Sequence, residues 1–253
     1  MRNLKVLISY NGAAYHGFQR QANAVTVQET LENALAKLLK HEVAITGCSR
    51  TDAGVHAREF CFNMHTSSGI PCEGFVRGLN ALLPKDIAVH SCDEVPDSFH
   101  ARYDAKAKEY EYVIHRGAVR NVFRQELAYF YPYSHSLNIT AMGEAAKLLI
   151  GRHDFSAYCK AESLELTKSK KLGAVRTVYD CRMESAGEKL SVCVSGNGFL
   201  HNMVRIIAGT LLYVGEGKLS LKEVENSLKS GADRTMSGKT LPACGLYLNK
   251  VVY

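Results

Sequence analysis

Residues 26–40 read TVQETLENALAKLLK and residues 59–65 read EFCFNMH, and the contrast between their periods decides the fold class. In the first stretch, Thr26 followed three positions later by Glu29 is a capping-box signature, and Leu31, Leu35, Leu38 and Leu39 line one helical face. In the second, Phe60, Phe62 and Met64 alternate with smaller or polar residues, as in a strand with one face in a core. Working outward, a strand from Leu4 to Tyr10 precedes the helix, and a strand-like run from Glu42 to Gly47 follows it. A short helix from about Phe75 to Leu83 stops before Pro84, and Ile87 to Cys92 gives a further strand. The order β-α-β-β-α-β predicts a helix-covered antiparallel sheet of the split-βαβ, ferredoxin-like or RRM-like kind.

The second half repeats this outline without a visible sequence repeat. Strands are expected at Glu109–His115 and around Ala128–Tyr131, then a helix from Thr140 to Ile150 that stops at Gly151. Strands Ala174–Glu184 and Lys189–Ser195 flank a turn at Gly187. A long helix starts near Phe199, a shorter one runs from Leu221 to Lys229, and Leu246–Val252 is a last strand. The expectation is an α+β protein of two split-βαβ units, residues 1–104 and 105–253, whose sheets meet at a central cleft. Phe99 to Ala107 bridges them.

Of the 253 residues 46% are apolar, enough to offset chain entropy, and 20 Gly and 5 Pro without a period exclude collagen-like and low-complexity classes. The most apolar long window, Met203 to Val214, contains Arg205 and is too short to span a membrane. The opening MRNLKVLISYNG has no signal-peptide layout and reads as a strand, so a cytoplasmic protein is expected. Eight scattered cysteines with no CxxC pair then read as reduced, mostly buried thiols. His56, Cys61 and His65 match no zinc-ligand spacing, and neither a Walker loop nor a GxGxxG is present, so no cofactor is called for. Residues 1–105 hold 10 basic and 11 acidic side chains, whereas residues 106–253 hold 21 and 14. The basic excess is confined to the second half, which suits a polyanionic partner such as nucleic acid, or equally a set of solvated helices. Its densest run is Lys168, Lys170 and Lys171.

The segment most unlike ordinary scaffold is Ser49-Arg50-Thr51-Asp52-Ala53-Gly54-Val55-His56-Ala57, between two strands. Asp52 there fits an Asx turn. It also fits a carboxylate nucleophile or general base kept ionised by the neighbouring Arg50 cation. Residues 50–57 resemble the active-site motif of the tRNA pseudouridine synthase A (TruA) family, written around RTDAGVHA. The likeness continues through Tyr10–Gln21, Val27-Gln28-Glu29, Phe99-His100-Ala101-Arg102, Lys108–Tyr112, His153–Ser156, Arg176-Thr177, Gly198–Arg205 and Gly245–Leu248. Phe18 stands where a Trp is common, and Ala243-Cys244 falls in a loop that is often richer in Pro.

The resemblance implies conversion of uridine to pseudouridine at positions 38, 39 and 40 of the tRNA anticodon arm, by a homodimer, with Asp52 as the catalytic group. It implies that Tyr110 packs against the target uracil and that Arg205 lies near the catalytic carboxylate. Arg50 is expected to pair with Asp52 or to fill the space left by the flipped base. Tyr110 and Tyr112 alternate onto one face of their strand, so spacing alone does not choose between them. His56 reads as a loop hydrogen-bonder. Two rival readings remain: an RNA-binding module using strand tyrosines for stacking, and a carboxylate-dependent hydrolase. The second is disfavoured because no paired carboxylate is near.

Overall fold

The computed structural model describes residues 1–133, 137–168 and 173–253. The chain forms two compact units, residues 1–106 with 247–253, and residues 107–246. The first begins with β1 (Arg2–Tyr10), α1 (Val27–Leu39), β2 (Thr46–Gly47), β3 (His56–Thr66), α2 (Cys72–Leu82) and β4 (Ile87–Val95). In its sheet β1 lies between β4 and β3, antiparallel to both, and β2 pairs with β3. A further strand, β10 (Leu246–Val252), joins parallel to β3, placing Tyr247 opposite His56 and Leu248 opposite Ala57.

Register explains the core of this unit. Leu4, Val6 and Ile8 stand opposite Met64, Phe62 and Phe60, so the two period-2 patterns load one face together. None of the six is more than 1% exposed, and Leu31, Leu35, Phe75 and Leu79 from the helices are fully buried with them. Each contributes roughly 1.5–3 kcal/mol by leaving water. The Thr26 hydroxyl caps α1 by accepting from the Glu29 amide at 3.3 Å. The run from Glu42 is a strand only over its final two residues. The Ile45 amide donates to the buried Glu32 carboxylate at 3.3 Å instead of to a neighbouring strand.

The second unit holds β5 (Ala107–Arg116), β6 (Tyr129–Tyr131), α3 (Ile139–Leu148), β7 (Gly151–Asp154), α4 (Ala161–Lys168), β8 (Val175–Ala186), β9 (Lys189–Gly196), α5 (Met203–Gly215) and α6 (Leu221–Asn226). Its strands run in the order β5-β9-β8-β7, antiparallel throughout, with β6 parallel to β5. Neither β7 nor α4 is among the elements expected from the sequence. Lys168 closes α4, whereas Lys170 and Lys171 lie outside the described residues. Helix α5 is apolar almost all round because it is the core: Ile206, Ile207, Ala208, Leu211 and Leu212 are fully buried. At Gly209 a methyl group would lie 1.8 Å from the Lys239 carbonyl oxygen, so segment 238–241 runs directly against the helix backbone. The helix starts at Met203 and not near Phe199, because Asn202 adopts a left-handed φ of 62°.

No helix among the described residues is long and apolar enough to cross a membrane. All eight cysteines are free thiols, with Cys72 and Cys244 partly accessible and the other six buried. Burial pushes the Cys61 thiol up to about 11 and Cys193 up to about 12. The folded state therefore holds these protons above the pH, about 8.5, at which an unfolded chain's thiols begin to release them. Stability should fall as pH rises from about 9 to 11. A thiol reagent at pH 8 should label at most Cys72 and Cys244 quickly, and the remaining six on denaturation. Rapid labelling of all eight in the native protein would contradict this packing.

Candidate active site

The loop joining β2 to β3, residues 48–55, carries Arg50 and Asp52, and its backbone is gripped by the segment that follows β1. The Phe18 amide donates to the Thr51 carbonyl at 3.1 Å, and the Gly54 amide to the Tyr15 carbonyl at 3.2 Å. The Tyr10 and Thr51 hydroxyls share a buried hydrogen bond of 2.9 Å. The contact leaves no room for side chains. A methyl group on Gly12 would lie 2.0 Å from the Val55 carbonyl oxygen, and one on Gly17, itself at φ +90°, 2.5 Å from that of Thr51. The Val55 amide reaches back to the Asp52 carbonyl at 3.1 Å, closing a turn through Gly54 at φ +76°. Thr51 and Val55 are buried while Asp52, on the same fixed backbone, keeps partial exposure.

Several neighbours complete this support. The Tyr15 hydroxyl donates to Asp86 at 2.7 Å, and burial, then the Asp86 carboxylate, raise that phenol well above its ordinary range. Phe18 stacks on Phe60 with centroids 4.2 Å apart. His56 accepts from the Gly12 amide through Nδ1 at 3.0 Å and stacks on Tyr247 at 4.7 Å, which matches a loop hydrogen-bonder. Arg50 is exposed. It lines a pocket of about 190 Å³ with Ser49, His100, Arg102 and Tyr103.

The other two candidates belong to the second unit. Tyr110 sits on β5 opposite Val194, 7% exposed, with its ring edge-on to Phe199 at 5.2 Å. Tyr112 is wholly buried and donates its hydroxyl to the Pro242 carbonyl at 2.7 Å. Both rings are therefore buried, Tyr110 slightly less completely than Tyr112. Arg205, on the first turn of α5, donates from Nε to the Leu241 carbonyl and from Nη1 to Asn202 Oδ1, both at 2.7 Å. The left-handed Asn202 thus ends the preceding turn and braces the guanidinium; Asn tolerates that conformation better than most residues. The Leu241 amide returns a bond to the Arg205 carbonyl at 3.3 Å. Asn202 and Phe199 were not picked out from the sequence as site residues, although both lie in the Gly198–Arg205 stretch. Asn202 joins its polar neighbours at the foot of an apolar helix, a signal that could have marked it.

A family profile described as tRNA pseudouridine synthase matches residues 6–104 and 145–253. A protein of Thermoanaerobacter sp. (strain X514) named tRNA pseudouridine synthase A is 46% identical over 254 residues, covering all of both chains. One of the same name from Ruminiclostridium cellulolyticum is 44% identical, and one from Clostridium perfringens named tRNA pseudouridine synthase A 2 is 41% identical, again over the full length of both.

If the backbone clamp sets the carboxylate, Gly12→Ala should cost about 1–3 kcal/mol, as overpacking usually does. Activity should fall further than the loss of folded protein explains. Thermal denaturation and turnover of the folded fraction measure the two separately; a variant with wild-type stability and rate would show that the contact is not rigid.

Proposed function

The chain belongs to the tRNA pseudouridine synthase family and isomerises uridine in tRNA, and on that premise we propose that it acts at positions 38, 39 and 40 of the anticodon arm with Asp52 as the catalytic group. The reaction breaks the bond from ribose to uracil nitrogen 1, turns the base, and rejoins it through carbon 5. Atoms and oxidation state are conserved between substrate and product, so one well-placed carboxylate is the central requirement. The observation that carries the reading is the Asp52 loop: a fixed backbone, buried flanks and a partly exposed carboxylate within RTDAGVHA. Attack on the sugar, attack on the base, and removal of a sugar proton all start from that group.

Tyr110 in this reading packs against the uracil, supported by its residual exposure and by Phe199 at its edge. Arg205 contributes a braced cation from α5, and Arg50 a cation two residues from Asp52. The strand order β4-β1-β3-β2, with α1 and α2, supports a split-βαβ reading of the first unit. We assign the chemistry to the first unit and most phosphate contacts to the basic second one. Arg116 is spent on the Ser185 hydroxyl and the Gly187 carbonyl. Arg120 and Arg124 are better placed for phosphates, beside a pocket of about 250 Å³ that includes His115 and Tyr129. A homodimer acting in the cytoplasm is the assembly that the family resemblance supports.

The test is tritium release from tRNA labelled at uracil carbon 5. Asp52→Asn should abolish release while tRNA affinity stays within a few-fold of wild type, because affinity comes mainly from phosphates. An Asn variant that keeps a substantial fraction of turnover would remove Asp52 from the mechanism. Tyr110→Phe should retain stacking, whereas Tyr110→Leu should lose about 1–3 kcal/mol of it. Equal damage in both would move the role to the hydroxyl.

A further inference from the structure

The pocket beside Arg50 has a chemistry that isomerisation at Asp52 does not use. It is walled by residues from three separate stretches, among them Gln19, Ser49, Arg50, His100, Arg102 and Tyr103. Two guanidiniums face it, and among the described residues neither has a carboxylate partner. Tyr103 is 76% exposed, an unusual setting for so large an aromatic side chain on a segment that is otherwise tightly held. Its ring lies 4.2 Å from that of His100, tilted by 31°, and Arg102 sits 5.9 Å from its centroid.

The segment bearing these groups is fixed from beneath by buried polar side chains. Asn3, 1% exposed, donates to the Phe99 carbonyl at 2.9 Å and to the Pro96 carbonyl at 3.2 Å. Asn63, 4% exposed, accepts from the Ala101 amide at 2.9 Å and donates to Asn3 at 3.0 Å. The Tyr253 hydroxyl donates to the Ala101 carbonyl at 2.7 Å. Above them, His100 Nδ1 accepts from the Arg102 and Tyr103 amides at 3.2 and 3.3 Å. A buried amide pair is costly unless fully bonded, and here its bonds set the height and direction of a surface segment. The exposed ring and cations are held ready before any ligand arrives, which lowers the ordering cost of binding.

We propose that this pocket is a second nucleotide subsite, which seats one unpaired ribonucleotide flanking the target uridine in the same RNA. The flanking base stacks on Tyr103, and its phosphate lies between Arg50 and Arg102. Stacking on an exposed aromatic beside guanidiniums is the usual chemistry of single-strand RNA recognition. The neighbour assignment follows from Arg50 standing two residues, at most about 7 Å of chain, from Asp52. The proposal rests on RNA being the substrate, as concluded above, and extends it to how the nucleotides beside the target are held.

The experiment uses the full-length protein and an anticodon-arm RNA, with binding measured at equilibrium and tritium release in parallel. Tyr103→Leu should weaken binding about 5- to 150-fold and Tyr103→Phe less than about twofold, with release at saturating RNA unchanged. Arg102→Ala should weaken binding and flatten the slope of log affinity against log salt by about 0.7–0.9. An RNA with an abasic nucleotide beside the target should bind wild-type protein more weakly, yet bind Tyr103→Leu no worse than intact RNA does. Normal binding by Tyr103→Leu, equal damage from Phe and Leu, or an abasic penalty that persists in Tyr103→Leu would each overturn the subsite. In all three cases tritium release by the wild type would leave the isomerase reading intact. Absence of release from the wild type would overturn that reading and the subsite with it.

Discussion

The contact on which the active loop depends is backbone against backbone. Residues 12–18 and 51–55 approach until only hydrogen atoms fit at Gly12 and Gly17, and the Phe18 and Gly54 amides bond across to the carbonyls of Thr51 and Tyr15. Such a contact has little freedom to relax, because neither side can turn a side chain out of the way. The backbone of Asp52 is held in place by these peptide units. The same contact limits the volume that the RTDAGVHA run can accommodate. Val55 and Thr51 are buried, Gly54 makes the turn, and His56 accepts a hydrogen bond from the Gly12 amide of the opposing stretch.

The second unit positions its cation by a different physical route. Arg205 stands in a helix otherwise suited to a dry core, and its charge is accommodated by the carbonyl of Leu241 and the amide oxygen of Asn202. That carbonyl is available because Gly209 lets segment 238–241 run against α5. The Thr210 hydroxyl, bonded to the Gly238 amide at 2.8 Å, holds the segment there. A guanidinium satisfied by fixed dipoles costs little reorganisation when an anionic group approaches it, which is the general value of preorganised polar groups in catalysis.

Much of this was legible in the sequence where the signal is local. The capped helix at 27–39, the alternation of Phe60, Phe62 and Met64, and the Gly187 turn are each set by residues within one element. The RTDAGVHA run stood out because it concentrates charge around a glycine between strands. What was not legible depends on distant partners. Glu42–Ile45 has a strand's composition, but a carboxylate on α1 takes the Ile45 amide. Tyr110 and Tyr112 share a face, and the bond that distinguishes Tyr112 runs to Pro242, 130 residues away. The Arg50 pocket is assembled from stretches near residues 18–28, 45–50 and 100–103, none of which forecasts the others.

The pairing of Tyr247 and Leu248 with β3, which brings residues 247–253 into the first unit, bears on how the chain is made. The first unit leaves the ribosome with its sheet one strand short, and that strand follows only after roughly 140 further residues. At about 5–20 residues per second the gap is on the order of ten seconds. Throughout it the outer edge of β3 near His56 and Ala57 is an open template, of the kind to which stray strands add. The neighbouring Asp52 loop therefore matures late, after the second unit has had time to fold, and the nascent chain is most exposed to mispairing, and to the help of chaperones, during that interval.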